Sequence, residues 1–424
     1  MREDFLHYLW KYKKFAFAKA KTTINTPITI IKLGEHNHLA GPDFFNARLS
    51  IGDQEWAGNV EIHIKSSDWY AHGHETDSAY DNVVLHVVWE HDIDIFRKDN
   101  TAIPTLQLKD YVAKDALANY TTLFENQSQK WINCENSISK VPDAIWNHWQ
   151  ERLYLERLER KTDAIKEILS HTNNDWEGAL FVMLLRAFGT KVNGDSFQSL
   201  AEHIDFTVIR KCAQEPFRLE ALLLGVGGLL PEDSVDSYVL QLQGEYEFVH
   251  HKFQLETEGI LPIQFFKLRP DNFPTIRLSQ LAMLYYTIPG LFQKLMHVEK
   301  LSDFYDILNV QASTYWDTHY SFSTLQKKRV KKLSKSFIDL LLINTIIPIK
   351  FAYSQYTGKE ETDTILDFIT AIKSEQNSII KKYNEIRPKT ESALHSQALI
   401  QLKTTYCSEN RCLQCAVGNW LIGK

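Results

Sequence analysis

A chain of 424 residues with net charge −6, 44% hydrophobic and 24% charged residues can bury a large core and divide into two or three domains. The balance excludes a bulk polycation and gives no sign of long disorder, so any contact with DNA or RNA has to use a local basic face. Met1–Lys11 is amphipathic rather than a signal sequence, and the apolar run Phe337–Tyr353 is broken by Asp339, Pro348 and Lys350; the expectation is a cytoplasmic protein with no membrane partner.

In chain order, Phe5, Leu6, Leu9 and Trp10 predict a short amphipathic helix. The β-branched run Ile28–Leu33, stopped by Gly34, predicts a first strand. Two further strand-like runs flank Gly52-Asp53, the first opening at Gly41-Pro42-Asp43 and the second carrying Glu61-Ile62-His63-Ile64-Lys65. A hairpin with a three-residue loop near Gly52 pairs Asp43 with Glu61 or with His63, depending on where the loop starts. The polar stretch Asp68–Asp77 reads as a loop leading into a helix, and Val83–Trp89 as a buried strand. Ile93–Phe96 and Thr105–Leu108 predict another hairpin around Lys98-Asp99-Asn100.

From about Pro142 the period becomes helical, with Ile145, Trp149 and Leu153 four residues apart. Asn174 or Asp175 caps a predicted helix Trp176–Phe188 that stops at Gly189, and Pro216 opens another ending near Gly227-Gly228. Further helices are predicted over Leu278–Tyr286, Ser334–Ile343, Asp363–Lys373 and Ser392–Lys403. The fold class that follows is α+β: a mixed-sheet domain over residues 1–135, then a mostly α-helical domain over 136–424.

Chemistry concentrates on the hairpin. Strand side chains alternate, so Glu61, His63 and Lys65 share a face that Asp43 can join. Two carboxylates, an imidazole and an ammonium together can bind a divalent cation, magnesium or manganese, and activate a water. Seven of the sixteen histidines (His36, His38, His63, His72, His74, His86 and His91) crowd the same region. His72 and His74 with Asp77 can act as zinc ligands or as outer contacts to substrate. They do not follow the H-x-H-x-D-H order of metallo-β-lactamase-like hydrolases. His86, inside an apolar strand, is a satisfied core histidine or one that faces the site.

The order of strand, hairpin with an acid at one base, acid-x-basic step, helix and buried strand resembles the restriction-endonuclease-like PD-(D/E)XK nuclease core. Pro42-Asp43 resembles its first acid and Glu61-Ile62-His63 its acid-x-Lys step, with His63 where that superfamily has lysine and Lys65 two residues on. The resemblance implies magnesium on the acids and a nuclease acting on DNA or RNA. The departure at His63 also fits a non-catalytic nucleic-acid-binding or scaffold protein, and the histidine cluster a zinc-dependent hydrolase.

Three of the five cysteines fall in the last 18 residues, as Cys407-x4-Cys412-x2-Cys415. This knuckle predicts a structural metal, zinc or iron–sulfur, with Cys134 as the leading fourth ligand ahead of Cys212 and His395. One upstream cysteine with three near the C-terminus is similar to the iron–sulfur nucleases of the same superfamily. The run Lys327-Lys328-Arg329-Val330-Lys331-Lys332 can contact phosphates or form a solvated face, and Arg269 to Arg277 can bind an anion or hold a turn.

The segments Phe5–Trp10, Gly41–Phe44, Val60–His63, Ser67–Trp69, His72–His74, Arg269–Leu278 and Cys412–Cys415 together resemble a bacterial family of unknown function across nearly the whole chain. That resemblance carries no activity of its own.

Overall fold

The computed structural model describes residues 1–423 apart from 38, 126–129, 323 and 389. His38, one of the crowded histidines, therefore lies outside the described residues. The chain divides into two units: Met1–Trp149 with Lys382–Pro388 and Ile400–Lys424, and Gln150–Lys381 with Lys389–Leu399.

The first unit is built on one mixed sheet. Helix α1 (Glu3–Lys11) precedes β1 (Ile28–Lys32), β2 (Glu35–His36), β3 (Phe44–Ile51), β4 (Gln54–Lys65), the short α2 (Asp68–Ala71), β5 (Val83–Glu90), β6 (Thr105–Gln107) and α3 (Lys114–Phe124). Strand order is β1-β3-β4-β5-β6, with β2 pairing β3. The β1–β3 and β3–β4 pairs are antiparallel, and β4–β5 and β5–β6 are parallel. The β5 sequence VVLHVVWE is nearly continuous in apolar residues because a central parallel strand is covered on both faces. Phe5, Leu6, Leu9 and Trp10 of α1 bury against Val60, Ile62, Leu85 and Val87 of the sheet in one cluster. A Cβ added at Gly58 would lie 2.4 Å from Val84 Cγ1 and 2.6 Å from Asn82 O, so glycine there lets β5 start against β4.

Two local expectations change. The hairpin loop is two residues, Gly52-Asp53, because Ile51 pairs with Gln54 and Gly52 takes φ of +61°. A register shift between Phe44 and Ala47, with Asn46 at φ +57°, then brings Phe44 opposite Val60. The hairpin predicted around residues 98–100 is reduced to a single bridge, Phe96 to Ala102, and β6 adds instead to the parallel edge of β5.

The second unit is helical. Asp175 caps Trp176–Phe188 by accepting from the Glu177 amide, as its sequence indicates. Pro216–Val226 opens on proline and ends at Gly227-Gly228, Gly228 having φ +64°. Helices Thr190–Glu202 and Ser237–Phe253 carry weaker sequence signals. Lys335–Thr357 is the one helix among the described residues long and apolar enough to cross a membrane, and 72% of its apolar window is buried within the protein. Its Lys350 is buried, donates to the Met296 carbonyl and pairs with Glu361 at 3.1 Å.

Some of the basic residues serve this unit's own packing, while Arg269, Lys327, Lys328 and Lys332 are exposed. Arg277 is buried with its guanidinium 3.5 Å from the Phe337 ring centroid and bonds to Gln280 and Asn272. Arg329 pairs with Asp271 at 2.7 Å, and Lys331 is buried against the Trp316 carbonyl.

Candidate metal centre on the sheet

Asp43 closes the start of β3 against the middle of β4. Its Oδ2 accepts from the Ile62 amide at 3.0 Å, and its own amide donates to Glu61 Oε2 at 3.1 Å. The hairpin thus selects the Asp43–Glu61 pairing of the two left open by the sequence. His7, one turn after Glu3 on α1, reaches the same carboxylate, with Nε2 3.2 Å from Asp43 Oδ2.

The other Glu61 oxygen faces histidines. Glu61 Oε1 is 3.5 Å from His63 Nε2 and 3.5 Å from His74 Nε2. His63 Nε2 is also 3.1 Å from His72 Nδ1. Among the described residues, His63, His72 and His74 form a group whose ligand atoms all lie within 4.8 Å of one another. His63 comes from β4, and His72 and His74 from the turn that follows α2, so the short crossover to β5 folds its histidines over the end of the hairpin.

Behind this group, His63 Nδ1 sits 2.8 Å from His86 Nε2 on β5. A ring whose Nδ1 is held by a neighbour keeps Nε2 free for a ligand. Tyr80 stacks on His74 at 3.7 Å between centroids. His86 is wholly buried and, among the described residues, meets the group only through His63.

Electrostatics follow from burial. The Glu61 carboxyl is pushed up to about 9, first by burial and then by Asp43. Burial, then His74 and His72, lowers His63 to about 4, and His74 is lowered by burial and His72. His86, wholly enclosed, is held well below the ordinary imidazole value by burial. Glu3 is raised by burial and by Asp43, which puts a third carboxyl in the same field. Imidazoles and crowded carboxyls so arranged are of the kind that could hold a cation.

Two sequence-selected residues stand apart. Lys65 is exposed at the end of β4, paired in register with Glu90. Asp77 is exposed and its carboxylate caps the Ala79 amide at 2.9 Å. His7, Glu3 and Tyr80 escaped the sequence reading. The one signal for the first two is their spacing, four residues apart on the same face of α1.

The cysteines assemble elsewhere in the first unit. Cys134, Cys407, Cys412 and Cys415 line one cavity of about 20 Å³, whose lining includes neither Cys212 nor His395.

Residues 3–378 match the model of a family described as protein of unknown function, DUF2851. The chain belongs to this family. The family match takes in the whole histidine–carboxylate group and ends before the cysteine knuckle. Comparison with curated proteins and with solved structures gives no match.

Proposed function

We propose that this group is the active centre of a divalent-metal-dependent phosphodiesterase acting on nucleic acid. The observation that carries the reading is the convergence of Glu61 Oε1 with His63, His72 and His74 beside Asp43. The donors fit a metal: three imidazole nitrogens and a carboxylate oxygen suit zinc or manganese better than magnesium, which prefers an all-oxygen shell. His63, His72, His74 and Glu61 would hold the ion, which when bound supplies Lewis acidity and makes water easier to deprotonate.

The protein's own groups supply the rest. Asp43, fixed by the Ile62 amide and His7, is placed to accept a proton from an attacking water. His86 orients His63, and Tyr80 holds the His74 ring. His72 is exposed, so the site opens to solvent on that side.

The substrate class is supported by element order. Helix α1, the antiparallel strands β1, β3 and β4, a crossover and then β5 parallel to β4 resemble the order expected of a restriction-endonuclease-like core, with Asp43 just before β3 and Glu61 within β4. The test is cleavage of single- and double-stranded DNA and of RNA by chelator-stripped protein after adding manganese, zinc or magnesium. Cleavage with manganese or zinc is expected. Stoichiometric metal binding with every nucleic acid left intact would overturn the phosphodiesterase and favour a zinc hydrolase of another ester or amide.

A further inference from the structure

The exposed cations of the helical unit lie on two segments that touch. Phe265–Asn272 carries Lys267 and Arg269, and Leu325–Lys335 carries Lys327, Lys328 and Lys332. Arg329 pairs with Asp271 at 2.7 Å, Tyr320 Oη donates to Asp271 Oδ1 at 3.3 Å, and the Arg329 amide donates to the Asp317 carbonyl at 2.8 Å, which fastens one segment beside the other. Asp271 is the one acid in either segment, and it is engaged by Arg329 and Tyr320. Among the described residues, no ion pair engages Lys267, Arg269, Lys327, Lys328 or Lys332. A chain of net charge −6 therefore gathers unpaired positive charge on one local surface.

An exposed ring belongs to the same surface. Phe265 packs edge to face on Phe273 with centroids 5.3 Å apart, whereas Phe266, the next residue, is 72% exposed. The turn that carries Phe266 outward holds Lys267 at φ +62°, a left-handed backbone that a residue with a β-carbon adopts at a cost. Lys267 Nζ lies 5.0 Å from the Phe266 ring centroid. Internal packing accounts for neither the exposed ring nor the strained turn, and a ligand that brings a flat π-face together with negative charge engages both. Behind them, Lys331 Nζ sits 4.1 Å from the Tyr320 ring centroid and gives the surface a fixed base.

We propose that this surface binds single-stranded nucleic acid, with Phe266 stacking on a base and Arg269, Lys327, Lys328 and Lys332 contacting phosphates. The lysines lie along a non-helical segment bridged at Leu325 to His319 and at Lys332 to Gln311, so they form a track that a linear polyanion can follow. Such a pairing of cations with an aromatic platform holds a strand without reading its sequence. The inference takes its choice of polyanion from the phosphodiesterase reading of the metal centre, and adds that the nucleic acid is bound unpaired. A duplex keeps its bases stacked inside and offers Phe266 a π-face only at its ends.

The experiment is equilibrium binding of fluorescently labelled oligothymidylate and oligouridylate, and of a DNA duplex of the same length, to the full chain in excess chelator over a range of salt concentrations. Single strands are expected to bind more tightly than the duplex, with log Kd rising with log salt at a slope of about 3, from about 0.7 for each phosphate met by the four named cations. Phe266→Ala is expected to weaken single-strand binding about 10-fold and leave the slope unchanged, and the double variant Lys327→Ala, Lys328→Ala to lower the slope by about 1.4. Wild-type affinity and slope in both variants overturn the proposal, as does a duplex bound at least as tightly as the single strands. Binding to phosphatidylserine vesicles with no affinity for either single strand also overturns it and makes the surface a lipid contact. Chelator separates this result from cleavage: a failed phosphodiesterase leaves it standing, and an active phosphodiesterase with unaltered binding in the variants refutes the surface alone.

Discussion

Asp43 and Glu61 clasp each other's strands: the Asp43 amide donates to Glu61 Oε2, and Asp43 Oδ2 accepts from the Ile62 amide. The two acids are therefore structural and electrostatic partners at once. Asp43→Asn keeps an oxygen able to accept from Ile62 and removes the charge. The expected outcome is cleavage slowed on the order of 100-fold or more, with the urea midpoint little changed. Full activity in the Asp43→Asn variant, free of contaminating nuclease, would sink the catalytic assignment of Asp43.

His86 makes its contribution through His63. Replacing it with leucine leaves His63 Nδ1 without the neighbour that orients it, inside a buried site. Loss of such an outer-shell partner weakens metal binding by about 10- to 100-fold. Competition against a chelator of known affinity reads this directly, and a near-neutral result would make His86 a packing residue only.

How far the sequence could have led is set by the range of each interaction. Local signals were strong: the Asp175 cap, the Pro216 start and the β-branched run of β5 each depend on neighbours in the chain. The Asp43–Glu61 pairing was visible as one of two alternatives, and the choice depended on a bulge at Asn46 that alternation alone does not show. The histidine triad was half visible. His72-x-His74 stood out, but the third member is His63 on β4, over which the crossover folds the other two, whereas Asp77 serves as a local cap. Lys65 failed because alternation places it on the right face but past the end of the site, where the strand meets solvent. His7 reaches Asp43 only through the docking of α1 on the sheet, which no window of sequence contains.

The Asn46 bulge yields its own prediction. A residue at φ +57° suits asparagine or glycine and penalises a β-branched side chain by about 1–2 kcal/mol. Asn46→Gly is expected to keep metal affinity, whereas Asn46→Val relieves the strain by slipping the start of β3 and separating Asp43 from Glu61. The measurement is metal affinity alongside stability in urea. Loss of affinity larger than the loss of stability is the expected pattern for Asn46→Val, and equal affinities in both variants would show that the bulge does not set the pairing.

Lys161 gives a pH dependence in the helical unit, away from any metal ligand. Its ammonium lies 3.1 Å from Asn344 Oδ1 and 3.3 and 3.4 Å from the carbonyls of Ile343 and Asn344. Burial, then the neighbouring Arg157, lowers its pKa from 10.5 to about 7. Between these two values the unfolded chain binds the proton and the folded chain does not, so stability rises with pH across about pH 7 to 10.5 and is flat below. At one pKa unit per about 1.4 kcal/mol, the rise amounts to no more than a few kcal/mol. Lys161→Met removes the titrating group, so its stability against urea, followed from pH 7 to pH 10, is expected to lose that upward slope relative to wild type. Parallel curves for the two proteins would mean that Lys161 stays charged in the fold, held by the Ile343 and Asn344 carbonyls strongly enough to offset its burial.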